Sequence, residues 1–225
     1  MKNIIASLVM FVFALSNAYA AGNSVYIDQI GNNSNLNVTQ TGSGNNVGVP
    51  TANLISHGDS QTVNVQQIGV NNNTNVNIVG SGTSTASSVT GNQNTVTITC
   101  GNDSGSCDNA TLHANANGNN NILSITSTIN STSAIDVTGS GNHATINNTS
   151  TNMLGAAAAI TISGDTNTVG VTQDGVAGTN GHSATVSVTG GMNNVSVMQG
   201  GTVDSTVSVS TNGVGNTISV KSNHQ

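Results

Sequence analysis

What this chain lacks is more informative than what it contains. It has no tryptophan, one proline and two cysteines in 225 residues; 4% of its residues are charged and 2% are aromatic. Both phenylalanines, Phe11 and Phe13, and Tyr19 lie in an apolar N-terminal stretch, so Tyr26 is the one ring in the rest of the chain and a core built on large rings is excluded. Leu, Ile, Val and Phe together make up fewer than one residue in four, close to the level of about 20% below which a chain fails to bury enough apolar surface to fold. Disorder would usually bring proline and a strong net charge, and neither is present. Glycine, asparagine, serine and threonine fill the chain instead.

Residues 1–20 carry Lys2, an apolar run from Ile4 to Leu15, and Ala18-Tyr19-Ala20, the layout of a secretory signal peptide cut between Ala20 and Ala21. The run is too short for a spanning helix, which takes about 20 apolar residues. Removal of that segment leaves Lys221 against eight aspartates and no glutamate, a formal charge of 1 − 8 = −7. A chain with one cation cannot neutralise nucleic acid phosphates, so no nucleic acid partner is expected. In an oxidising compartment Cys100 and Cys107 are expected to form a disulfide, since a structural zinc site needs four ligands.

The mature chain, residues 21–225, repeats. Ser24-Val25-Tyr26-Ile27-Asp28-Gln29-Ile30-Gly31 is followed by Asn35-Leu36-Asn37-Val38-Thr39-Gln40-Thr41-Gly42, which sets Gln40 as far beyond Gln29 as Leu36 lies beyond Val25. The unit, two alternating apolar residues, then Gln and a Gly/Asn turn, returns at Val63/Val65/Gln67, Val169/Val171/Gln173 and Val195/Val197/Gln199. Copies without the Gln include Val76/Ile78, Val96/Ile98, Leu123/Ile125, Ile160/Ile162 and Ile218/Val220. Alternation at period 2 with β-branched residues predicts strands with one buried face, and Gly and Asn supply the turns. The expected fold is all-β: a β-solenoid of about eight coils of 22–24 residues, cross-β in character, at about 24–45, 60–83, 86–107, 109–131, 133–155, 157–180, 183–203 and 205–222, with 46–59 as an insertion loop. Four aliphatic side chains per coil do not offset the backbone entropy, so a continuous ladder of backbone and stacked amide hydrogen bonds must contribute the rest.

On these residues the chain resembles the curlin repeat, Ser-x5-Gln-x-Gly-x2-Asn-x5-Gln, through Gln29-x-Gly31 with Gln40, and Gln67-x-Gly69 with Asn72. Asn23 stands where the motif has its first Ser, Ser34 where it has Asn, with Asn35 one position later, and Ile78 replaces the closing Gln of the second copy. Gln173 and Gln199 fit half of the motif. Cys100 takes a Gln position that the family pattern does not give to cysteine. Curlins are exported subunits of curli, the functional amyloid fibres of Gram-negative cell surfaces. The resemblance implies that Gln29, Gly31, Asn35, Gln40, Gln67, Gly69, Asn72, Gln173 and Gln199 form stacking ladders. It also implies a homopolymer as partner, with a nucleator subunit and an outer-membrane secretion channel.

No catalytic residues, cofactor, small-molecule substrate or metal site is expected. The five histidines, at 57, 113, 143, 182 and 224, are scattered, and no nucleophile and base stand at a recognisable spacing. The expectation is a secreted structural protein, not an enzyme, that polymerises through its end coils into extracellular fibres for adhesion or biofilm matrix. The alternative is a β-solenoid adhesin or viral fibre protein that does not polymerise. An ice-binding solenoid fits less well: Thr95-x-Thr97-x-Thr99 has Asn75, Asn77 and Val79 on one side and Ser124 and Thr126 on the other, so a threonine ladder does not continue.

Overall fold

The computed structural model describes residues 22–50, 54–101, 107–127, 131–148, 156–174 and 181–224. The expected signal peptide and its cut site at Ala20 and Ala21 lie outside these residues. All regular structure among the described residues is β-strand, wound as a solenoid with two parallel sheets facing each other across a narrow core.

The first sheet stacks Ser24–Val25 with Ile27–Ile30, Asn46–Val47 with Leu54–His57, Asn73–Val79, Thr95–Cys100, Ile122–Ser127, His143–Asn148, Thr168–Asp174, Asn194–Gly201 and Thr217–His224. It has 11 strands, and because the first two levels are each split in two, 11 − 2 = 9 rungs. The second sheet stacks eight: Asn35–Ser43, Thr62–Val70, Ser84–Thr90, Thr111–Asn117, Thr132–Thr138, Ala157–Ser163, Ser183–Thr189 and Thr206–Asn212. At about 4.8 Å per rung the rod is about 40 Å long.

From residue 60 onward the expected coils each contain one second-sheet and one first-sheet strand, so their phase agrees with the pairing. The segment 46–59 corrects the reading. Asn46 and Val47 pair with Ser24 and Val25 below and with Asn73 and Thr74 above, and Leu54–His57 pairs with Ile27–Ile30. Both ends of the segment are therefore rung, and the insertion is confined to its middle: Val47 and Leu54 stand seven residues apart where their partners Val25 and Ile27 stand two apart, so 7 − 2 = 5 residues around Pro50 are extra. Proline has no N–H to give the ladder, so the strand breaks there and resumes after residues 51–53, which lie outside the described set.

Strict alternation makes the core. Val47, Thr74, Val96, Leu123, Ala144, Val169 and Val195 form one inner column of the first sheet, and Leu54, Val76, Ile98, Ile125, Ile146, Val171 and Val197 the next; all are at most 1% exposed. The second sheet answers with shorter side chains on several levels: Thr85, Ser87, Ala114, Ala158 and Ala184 are all buried. The small inner residues Thr85 and Ser87 explain why Ser84–Thr90 carries a weak apolar signal. Among the described residues no Phe, Tyr or Trp lines the core.

Candidate functional site

The chemistry of this molecule lies in its corners and its ends. On one edge of the rod every coil turns from the second sheet to the first through Gly-x-x-Asn: Gly42 to Asn45, Gly69 to Asn72, Gly91 to Asn94, Gly118 to Asn121, Gly139 to Asn142, Gly164 to Asn167, Gly190 to Asn193 and Gly213 to Asn216. Asn23 heads the same column. The interior asparagines from Asn45 to Asn193 are at most 1% exposed.

From Asn72 to Asn193 these asparagines repeat one bonding scheme. Each backbone N–H and side-chain Nδ2 donates to the Oδ1 of the asparagine one coil earlier, and Nδ2 also donates to the glycine carbonyl one coil later. Asn121 is representative: its N–H and Nδ2 donate to Asn94 Oδ1 at 3.0 and 3.1 Å, and Nδ2 donates to the Gly139 carbonyl at 2.7 Å. Its own Oδ1 accepts from Asn142 N–H and Nδ2 at 3.0 and 3.1 Å. Every polar atom of the buried amide thus has partners, the condition under which burying it costs little.

A second, exposed column runs the other way in the same turns. The carboxylate or amide oxygen of one coil accepts the turn N–H of the coil before it: Asn92 Oδ1 from Val70, Asn119 Oδ1 from Asn92, and Asp165 Oδ1 from Ser140. The glycine column explains the close stacking. Gly69 has φ 127°, and a Cβ placed on it would overlap the carbonyl of Gly91. Gly31, on the opposite edge, stands in the same relation to Gly58.

That opposite edge is irregular. Its column runs Ser34, Gln61, Thr83, Ala110, Ser131, Ala156, His182 and Ser205, each placed just before a second-sheet strand. Cys100 and Cys107 are joined by a disulfide on this edge, both fully buried, with Cα atoms 5.4 Å apart. Cys107 occupies the place that Gly80 holds one coil earlier. His182 is fully buried; its Nδ1 lies 2.8 Å from Ser205 Oγ, while Nε2 has no hydrogen-bond partner among the described residues. Burial pushes its pKa below the ordinary 6.5, against an opposing pull from the Asp204 carboxylate.

The expected glutamine ladders form in two short steps. Gln40 Nε2 donates to Gln67 Oε1 at 2.8 Å in the second sheet, and Gln173 Nε2 to Gln199 Oε1 at 3.0 Å in the first. The second-sheet step ends where Gln67 pairs in register with Val89. Gln29 is half-buried and in register with Ser56, so it stacks on a serine rather than on another glutamine. Cys100 does share the column of Gln173 and Gln199. Asn35 is a correction: it is exposed and outward-facing, in register with Thr62, because the period of 2 turns alternate residues away from the core. Ser34, one residue earlier, is the inward member, with its Oγ accepting from Gln61 N–H at 3.3 Å. Asn72 belongs to the long asparagine column. The sequence reading missed that column's other members, although Gly-x-x-Asn marks eight successive turns and would have exposed it.

The outer faces are mostly polar, with Ile68, Ile122 and Met198 exposed among the polar side chains. Thr95, Thr97 and Thr99 are flanked in register by Asn73, Asn75 and Asn77 on one side and by Ile122, Ser124 and Thr126 on the other. Among the described residues no three His, Cys, Asp or Glu side chains gather where they could hold a metal ion. Among the described residues, outward His–Asp contacts join His57 Nε2 to Asp28 Oδ2 at 3.5 Å and His113 Nε2 to Asp136 Oδ1 at 3.2 Å.

The end rungs differ from all others. Val25 is 39% exposed, whereas Val47, its register partner one rung inward, is 0% exposed. Ile27, Leu36 and Val38 at one end, and Val207, Ile218 and Val220 at the other, are likewise only partly covered. The outermost strands pair on one side alone. Compared with protein-family models, curated proteins and solved structures, the chain matches none.

Proposed function

We propose that this chain is an exported structural protein that assembles end to end into amyloid-like extracellular fibres of the curli type, serving surface adhesion or a biofilm matrix. One observation carries the reading: inner aliphatic side chains are fully covered throughout the rod and half-covered only on its outermost rungs. A second copy stacked on either end would cover them and extend both backbone ladders without a change in either fold. The resemblance to the curlin repeat points the same way, and the leader-like residues 1–20 supply the export route. On this reading the partner is another copy of the chain, with a nucleating subunit and an outer-membrane secretion channel as accessories. The reading includes neither a catalytic role nor a cofactor.

The secreted protein is expected to form thioflavin-positive filaments with a meridional reflection near about 4.8 Å. Persistence as a soluble monomer at high concentration for days would refute polymerisation. Gln40→Ala is expected to slow assembly, because Gln40 Nε2 ties Gln67 Oε1 and the Asn45 carbonyl at 2.8 and 3.0 Å in the first coil. Thr39→Ala, on the outer face of the same strand, should leave the rate close to that of the wild type.

A further inference from the structure

Among the described residues the two ends of the rod belong to the same sheet. Ser24–Ile30 opens the first sheet and Thr217–His224 closes it, while the second sheet runs from Asn35–Ser43 to Thr206–Asn212. Nine rungs against eight make an odd number of half-coils, 9 + 8 = 17. This constrains how one copy can sit on the next.

If the next copy keeps the same orientation, its first rung pairs with Thr217–His224 and the first sheet continues. The second sheet then skips a level: Thr206–Asn212 faces the next copy's Asn35–Ser43 across a missing rung. Val207 and Val209 on one side, and Leu36 and Val38 on the other, stay open to water at every junction. If the next copy is instead turned by half a revolution about the rod axis, its Ser24–Ile30 falls on the second-sheet side, directly above Thr206–Asn212. Its Asn35–Ser43 falls above Thr217–His224. No level is skipped and both sheets close.

The inner columns accept this exchange. Ile218, Val220 and Ser222 would lie under the next copy's Leu36, Val38 and Gln40, and Val207, Val209 and Thr211 under its Val25, Ile27 and Gln29. Each match is apolar on apolar, apolar on apolar, and polar on polar. The exchange is also written into the first coil, where Val25-x-Ile27-x-Gln29 on the first sheet and Leu36-x-Val38-x-Gln40 on the second are the same pattern. At the corners, the Asn216 Oδ1 that ends the asparagine column would accept the N–H of the next copy's Ser34, and Ser205 Oγ that of its Asn23. The bond from Gln61 N–H to Ser34 Oγ already shows a serine in that acceptor role.

The unrotated junction has one attraction of its own: it sets Lys221 beside the next copy's Asp28 and Asn216 below its Asn23. An exposed ion pair contributes little in water. It does not replace a whole rung of backbone hydrogen bonds and the cover over four aliphatic side chains.

We infer that successive subunits of the fibre are related by a half-turn about its axis, the first sheet of one copy continuing as the second sheet of the next. This rests on the fibre reading above and takes Ser24–Ile30 and Thr217–His224 as the outermost rungs. The half-turned junction advances eight and a half coils per subunit, about 41 Å, and the unrotated one nine, about 43 Å.

Two measurements on fibres of the secreted protein test it. Helical reconstruction by electron cryo-microscopy should give a subunit rotation of half a revolution, apart from the twist of the solenoid itself. Cysteine pairs provide the second. Ser219, Asn37 and Tyr26 are all outward and exposed. The half-turn stacks Ser219 on the next copy's Asn37, and the unrotated junction stacks it on Tyr26. Oxidation of preformed fibres should link the double variant Ser219→Cys with Asn37→Cys into long covalent multimers at least tenfold more than Ser219→Cys with Tyr26→Cys. Fibres with rotation near zero, or preferential linkage through position 26, overturn the half-turn and leave the fibre reading standing. Failure of the wild-type chain to form fibres removes both.

Discussion

Replacing Asn121 with alanine probes the asparagine column at mid-rod. The side chain makes four hydrogen bonds: two donated, to Asn94 Oδ1 and the Gly139 carbonyl, and two accepted, from Asn142 N–H and Nδ2. Asn94 Oδ1 keeps a donor after the change, since the backbone N–H of residue 121 still reaches it. Three groups do not: the Gly139 carbonyl, the Asn142 N–H and one Asn142 amide hydrogen. At about 1–3 kcal/mol for each buried group left unpaired, and with some relief from water entering the corner, the loss is about 3–5 kcal/mol. Urea unfolding followed by circular dichroism should then show the midpoint lowered by about 1–2 M. Ser124→Ala, on the outer face of the following strand, is the control and should fall within about 0.5 kcal/mol of wild type. Asn121→Asp sharpens the test. Its second carboxylate oxygen would stand where Nδ2 stood, facing the acceptors Asn94 Oδ1 and Gly139 O, so the charged form is disfavoured and the carboxyl pKa rises. The folded chain then holds more protons than the unfolded one, and stability recovers as pH falls through the raised pKa. If Asn121→Ala costs no more than Ser124→Ala, the column does not hold the rod together and the reasoning fails.

Gly69→Ala should cost several kcal/mol, because the new Cβ meets the Gly91 carbonyl at a residue held at φ 127°, whereas Gly170→Ala, with nothing within 4 Å and an ordinary φ, should be neutral or stabilise by about 0.5 kcal/mol; thermal unfolding of both variants measures the contrast. His182 makes the chain acid-sensitive: its folded pKa lies below 6.5, so the unfolded chain binds the extra proton first, and stability is lost as pH drops from 6.5 to the folded value and no further. His182→Gln, the residue that Gln61 supplies in the same column, should flatten that part of the stability curve, as denaturant midpoints between pH 7 and pH 5 would report.

Much of the fold was legible because a solenoid writes its geometry into a short period. Val63/Val65, Leu123/Ile125, Val195/Val197 and their relatives alternate with polar residues, and an alternating strand bounded by Gly and Asn has few other places to go. The legibility failed where inner residues are small or polar. Thr85 and Ser87 line the core without looking apolar, and the short strands Asn46–Val47 and Leu54–His57 look like part of the excursion that lies between them. The site followed the same logic. Gln40 with Gln67 and Gln173 with Gln199 stack as the motif suggested. Asn35 does not, because a one-residue shift in a strand sends a side chain to the opposite face. Its inward neighbour Ser34 could be separated from it only once the register was known.

The sequence by itself determined the strand period, the turn residues and the absence of a ring-built core, because these depend on local sterics and on which side chains are present. Tertiary structure decided which residues meet. Successive asparagines of the column from Asn23 to Asn216 stand 21 to 27 residues apart along the chain and within one hydrogen bond of each other in space. Coils of unequal length must bring their corners to a common level for that to happen, and only the closed backbone ladder sets that level. Among the described residues the same closure sets nine rungs against eight, the mismatch on which the proposed half-turn between copies rests.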